Sequence, residues 1–421
     1  MVTTTVKKGY KQTELGVIPV DWDVNSFGKC ADIYRGGSPR PIQSYLTHDP
    51  NGINWIKIGD VGAGERYITS TEEKIIPEGA LRSRKVSIGD FLLSNSMSFG
   101  RPYILKVNGC IHDGWLTIQN YNKVFNTEYL YYILSSKVVL DQYLQLASGS
   151  SVLNLNKAVV SIVKLPIPKI KEQIEIATVL SDTDALIDHL DKLIAKKKGI
   201  KQGTMQQLLT GKKRLPGFSE KWEEKKLAEI ADFLKGNGLS KSKINNSGQY
   251  SCILYGELFT TYSQAIHEVR SRTNSKEGLP SMKGDILMPG STTTIGIDLA
   301  TASALHKKDV LIGGDVIVIR KKEQEFYNSD FLANYLTHVS KYKIAGITQG
   351  ITIIHLHGSR LQEILVKIPK DVNEQTTIAT ILSDMDNEIE RLQQKRDKYA
   401  MLKNGMMQQL LTGKIRIYGN K

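Results

Sequence analysis

The chain carries one long passage twice. Residues 172–214 read EQIEIATVLSDTDALIDHLDKLIAKKKGIKQGTMQQLLTGKKR, and residues 374–416 read EQTTIATILSDMDNEIERLQQKRDKYAMLKNGMMQQLLTGKIR. They align without a gap at an offset of 202, and 23 of 43 positions are identical. A fainter echo runs upstream in the same order. Trp22 answers Trp222, Ala31-Asp32 answers Ala231-Asp232, and Arg35-Gly36 answers Lys235-Gly236. Gly89-Asp90 with Leu92 answers Gly284-Asp285 with Leu287, and Tyr129-Leu130 answers Phe331-Leu332. The folding unit is thus a divergent globular part followed by a near-duplicate tail, repeated once.

Each tail predicts a long helix. Ile176, Leu180, Thr183, Ile187, Leu190 and Ile194 step by alternating fours and threes, the spacing of a coiled-coil seam. Ile378, Leu382, Met385, Ile389 and Leu392 repeat it, and the step continues through Arg396, Tyr399, Lys403, Met406 and Leu410. Pro166, Pro168 and Pro369 end the preceding segments, Asp371 with Glu374 fits a capping box, and Gly211 and Gly413 read as stops. Such a helix would span ~57 Å. A core stripe inside one large domain would show the same period. Uninterrupted length and charged flanks favour a spacer of two helices, each the other's antiparallel partner.

The globular parts read as mixed α/β, with strands near 53–58, 90–93, 103–107, 285–288 and 315–319 and short helices near 129–134 and 331–336. Lys+Arg 56 against Asp+Glu 43 leaves a net charge of +13, which suits a polyanionic partner or simply a soluble basic surface. Chemistry of the familiar kinds is missing. LTGKKR and LTGKIR lack the glycine loop and hydroxyl of a phosphate-binding P-loop, and residues 59–64 fail the GxGxxG spacing. No HExxH, GxSxG or Cys/His zinc spacing occurs. His355 and His357 read as structural or surface histidines, and three scattered cysteines give no disulfide framework. The opening MVTTTVKKGYKQTELG has no apolar core for a signal peptide, so the expected location is the cytoplasm.

The Pro-rich lead-in, the EQxxIAxxLSxxD start, the helix and the MQQLLTGKxR end, all present twice, resemble the repeated conserved region of type I restriction-modification specificity subunits. The resemblance implies two globular α/β target-recognition domains separated by two long helices packed as an antiparallel coiled coil. Their spans would be 1–160 and 215–365, with spacer helices at 161–214 and 366–421. It implies a non-catalytic subunit that binds double-stranded DNA and docks two modification (methyltransferase) subunits, with restriction subunits joining the full complex. S-adenosylmethionine, ATP and Mg²⁺ would sit on those partners, with no cofactor or metal on this chain. The repeated helix ends, with Gln206, Gln207, Leu208 and Gln408, Gln409, Leu410, are the candidate partner contacts.

For DNA the assignment rests on residue chemistry, since phosphates call for cations and base edges for forked or hydroxyl side chains. Three loops per half qualify. The first holds Arg35, Ser38 and Arg40, mirrored by Lys235, Asn237, Lys241 and Lys243; its glycines would let backbone N–H groups approach phosphate. The second holds Asn95, Ser96, Ser98 and Arg101, mirrored by Ser291, Thr292 and Thr293. The third holds Ser150, mirrored by Gln349 and Thr352. Lys196–Lys198 read as a solvated helix face. Two other readings remain open at this stage: a coiled-coil DNA-binding adaptor outside restriction-modification, and a nuclease or methyltransferase in its own right.

Overall fold

The computed structural model describes residues 6–62, 64–95, 99–147 and 155–417. The chain forms two compact units, residues 1–190 with 395–421, and residues 191–394.

Both units are built on a five-stranded sheet of the same topology. In the first, the order is Asp32–Arg35, Trp115–Gln119, Phe91–Ser94, Pro102–Leu105, Tyr67–Ile68. In the second it is Ala231–Lys235, Val316–Lys321, Asp285–Pro289, Ser303–Leu305, Ala265–Ile266. Neighbours pair antiparallel except the last strand of each sheet, which is parallel. The central strands are apolar throughout because both faces are covered. Phe91 and Leu93 pack into one cluster and Leu92 into another. Ile286 and Met288 likewise face away from Leu287. A second sheet accompanies each, five-stranded in the first unit and four-stranded in the second.

A short helix lies against each main sheet, Thr127–Leu134 and Ser329–His338, capped by Asn126 and Asn328. The long helices follow at Ile170–Leu208 and Val372–Leu410, 39 residues each. Every predicted seam position from Ile176 to Ile194 and from Ile378 to Leu410 is buried or half-buried. Within the first unit Glu172 pairs with Arg416 and Asp184 with Lys403; within the second Lys197 pairs with Glu388, Lys201 with Asp386 and Arg214 with Glu374. Numbers rise along one helix as they fall along the other, so the segments run antiparallel inside each unit. Gly211 and Gly413 close the helices at φ 68°, the left-handed stop expected of them.

The repeated EQ pair has a structural task. The Gln173 and Gln375 side chains accept the backbone N–H of Asn126 and Asn328, and donate to the carbonyls of Pro168 and Pro369. Each glutamine thus locks the start of a long helix to the cap of a short one. The predicted capping box is half present. Asp371 accepts from the Asn373 N–H, but the Glu374 carboxylate is committed to Arg214 and does not reach back. Among the described residues no helix is long and apolar enough to cross a membrane.

Candidate nucleic-acid interface

In the first unit the first and second predicted loops converge on Asp113, which lies just before strand Trp115–Gln119. Its carboxylate accepts the Ser38 hydroxyl at 2.9 Å and Arg40 Nη2 at 3.3 Å, and faces His112 Nε2 at 3.0 Å. Its main-chain oxygen accepts Arg35 Nε and Asn95 Nδ2, each at 3.3 Å. Burial opposes the charge of Asp113, yet the Ser38 hydroxyl, His112 and Arg40 together hold its carboxyl below the usual range. The first and second loops are therefore tied through one aspartate. Arg35 and Arg40 reach solvent.

Asp315 does the same in the second unit, just before strand Val316–Lys321. Its carboxylate accepts the Ser291 hydroxyl at 3.2 Å and faces Lys235 Nζ at 3.8 Å, while its main-chain oxygen accepts the Gly290 N–H at 2.6 Å. The second loop then pairs with the third, Ser291 with His355 and Thr292 with Ile354. The third loop is pinched at its base by two hydrogen bonds between Gln349 and His355. Ser291, Thr292, Thr293, Asp315 and His355 line one open groove of ≈ 640 Å³.

Several predicted contacts change role once placed. Asn95, Ser291 and Thr292 are buried, so they anchor loops rather than present their side chains to a ligand. Gly36 and Gly236 serve the fold, because their N–H groups are already used. Gly36 donates to Trp115 O and Gly236 to Val316 O, both at 2.8 Å. A Cβ at Gly36 would meet His112 O at 2.1 Å, and one at Gly236 would meet Gly313 O at 1.9 Å, so only glycine fits. Lys243 pairs with Glu277. Arg101 is half-buried and donates to Glu65 O at 3.4 Å. Lys235, Asn237, Lys241, Thr293, Gln349 and Thr352 are exposed. Ser96, Ser98 and Ser150 lie outside the described residues.

At the helix ends Leu208 and Leu410 are core residues, 5% exposed, and pack inside their own units. They offer a partner nothing, whereas Gln206, Gln207 and Gln408 are exposed and Gln409 is half-buried. Lys196 and Lys198 are solvated, as expected, while Lys197 is paired with Glu388 at 2.7 Å. Among the described residues no group of three or more His, Cys, Asp or Glu side chains is placed to hold a metal ion.

Sequence reasoning missed both aspartates and a cluster of cations beside the first loop. Ser83 hydrogen-bonds Gly37 O, which brings Arg82 and Arg84 alongside that loop. Arg84 and Lys157 both lie over the Tyr34 ring, at 4.8 and 5.3 Å from its centroid. The basic run at residues 82–85 was a readable signal; a lone Asp in HDGW or GDVI was not.

The model of the type I restriction modification DNA specificity domain matches residues 19–198 and again 219–398. The type I restriction enzyme MjaVIII specificity subunit of Methanocaldococcus jannaschii is 24% identical over 433 residues, covering 95% of this chain and 94% of that one. The MjaIX specificity subunit of the same organism is 31% identical over 187 residues, covering 44% and 42%. Among solved structures, the type I restriction-modification S subunit from M. genitalium is similar with a TM-score of 0.56 at 16% identity, covering 92% of this chain and 96% of that one. The HsdS subunit from Thermoanaerobacter tengcongensis gives 0.51 at 16%, covering 94% and 98%.

Proposed function

The chain belongs to the family of type I restriction-modification DNA specificity subunits, and from that premise we propose how its two units divide the work. Each unit reads one part of a bipartite, asymmetric DNA target. The observation that carries this is the matched pair of loop clusters around Asp113 and Asp315. They stand on sheets of one topology but hold different side chains, Arg35, Ser38 and Arg40 in one and Lys235 and Ser291 in the other. Equal frameworks with unequal contacts suit two different sequences. The exposed cations take phosphate, and the exposed Asn237, Thr293, Gln349 and Thr352 read base edges.

The chain itself catalyses nothing in this reading. Two copies of a modification subunit dock on the two equivalent helix ends at Gln206–Gln207 and Gln408–Gln409, a recurrence that suits two copies of one partner. Those subunits hold S-adenosylmethionine and methylate adenine N6. Restriction subunits, with ATP and Mg²⁺, join to cut DNA that lacks the marks. The length of the repeated helices sets the unread interval between the two target parts, and the complex works in the cytoplasm.

The test is long-read mapping of N6-methyladenine in DNA from cells that express this chain with its modification partner. A split, asymmetric methylated motif is expected. A contiguous palindrome, or methylation by the chain alone, would overturn the proposal.

A further inference from the structure

A carboxylate in the middle of a cation-rich DNA-contact surface weakens attraction to a polyanion. Here one stands in the turn before the same strand of both units. By strand pairing Trp115 corresponds to Val316, the acceptors of Gly36 and Gly236, so Asp113 stands two residues before that position and Asp315 one, in surroundings that have diverged from His-Asp-Gly-Trp to Gly-Asp-Val-Ile. Each precedes the second strand of its sheet, and each ties the first loop to the second through both carboxylate and main-chain oxygen. What is held differs: Ser38, Arg40, Arg35 and Asn95 in one, Lys235, Ser291 and Gly290 in the other.

Resting on the reading of the two units as separate half-site readers, we infer that Asp113 and Asp315 are equivalent positioning residues for DNA recognition. Each carboxylate fixes the direction of its loop cations, so that phosphate contacts are strongest in the register that also seats the base-reading groups. It also repels phosphate from that spot when the register is wrong. The aspartate thus spends affinity for any DNA to gain discrimination, a role distinct from merely holding the loops together.

The experiment uses the full chain assembled with its modification subunits and four duplexes: the mapped target, the target with either half-site scrambled, and fully scrambled DNA. Asp113→Ala is expected to cut the preference for one intact half-site at least tenfold and leave the other unchanged. Asp315→Ala should do the reverse. Binding to fully scrambled DNA at low salt should hold or tighten in both variants, because a negative charge is gone; lost structural support would weaken binding to every duplex. Asp113→Asn and Asp315→Asn keep an acceptor for Ser38 and Ser291 and should lie between wild type and the alanine variants, which covers the case in which alanine unfolds the loop. Unchanged discrimination, an equal fall at both half-sites, or weaker binding to all DNA would overturn the inference. If the unaltered complex prefers neither half-site, the proposed function fails instead.

Discussion

Arg416 grips Glu172 through two parallel hydrogen bonds, Nε to Oε1 at 2.8 Å and Nη2 to Oε2 at 2.6 Å. Its repeat mate Arg214 grips Glu374 the same way, at 2.7 Å twice. The last arginine of each tail therefore closes on the first glutamate of the other tail. Asp184 with Lys403 and Lys201 with Asp386 form a second such couple. Eight of the residues identical between the copies are spent on these four pairs. Glu172 is 8% exposed and also accepts Trp22 Nε1 at 2.9 Å, whereas Trp222 Nε1 is buried without a hydrogen-bond partner among the described residues.

Arg416→Met should therefore destabilise the first unit by about 3 kcal/mol, since it strands a buried carboxylate. Adding Glu172→Gln should recover more than half of the loss, because the amide oxygen still accepts from Trp22 and the carboxylate left without Arg416 is then Asp21, which reaches solvent. Urea unfolding of the four combinations measures the coupling, and strictly additive losses would contradict it.

The long helices were legible because a 3.5-residue period and a duplicated sequence are both local signals. So were the strands at Phe91–Ser94, Pro102–Leu105, Asp285–Pro289 and Val316–Lys321, whereas Trp115–Gln119 and Ser303–Leu305 beside them were not read. The meaning of the identical positions was not, since identity fits a docking face as well as an internal pair. The partner of Glu172 lies 244 residues away and that of Glu374 lies 160 away. Leu208 and Leu410 were misread for the same reason. The loops were found through their composition, but the aspartates that organise them had no signature: one carboxylate in a turn looks like any other until strand pairing brings two loops to it.

Acid should weaken the second unit through His338. Its Nε2 is buried and makes no hydrogen bond among the described residues, and burial, with Lys201 adding to it, brings its pKa down from 6.5 to about 4. The unfolded chain then binds a proton between pH 6.5 and 4 that the folded chain refuses, so stability falls as pH drops through that window and is fully present above it. His338→Gln should flatten this part of the unfolding-midpoint profile. An unaltered slope would mean that His338 titrates normally.

Gly36→Ala and Gly236→Ala should each move the first loop, as the new methyl would sit 2.1 Å from His112 O or 1.9 Å from Gly313 O. Neither obstacle is the end of a flexible side chain, so the strand edge must shift, at a cost of roughly 1–3 kcal/mol. Methylation mapping should show one half-site relaxed in each variant while the other stays intact. Relaxation of both by a single substitution would contradict separate readers.

The exposed cations and the exposed amide should separate by salt dependence. Among the described residues Arg40 pairs with Asp113 at the surface, so its guanidinium can exchange that carboxylate for a phosphate. Arg40→Ala should weaken binding to every sequence and lower the log–log salt slope by about 1. Lys241, exposed in the second unit, should behave alike. Gln349 carries no charge and stands exposed at the base of the third loop, beside the groove that holds Thr293. Gln349→Ala should leave the slope unchanged and relax one base position, with a penalty of about 1–3 kcal/mol confined to the intact target. Binding isotherms of the assembled complex over a range of salt give both quantities at once. If Arg40→Ala altered sequence preference and Gln349→Ala altered only the slope, the division between phosphate-holding and base-reading loops would be reversed.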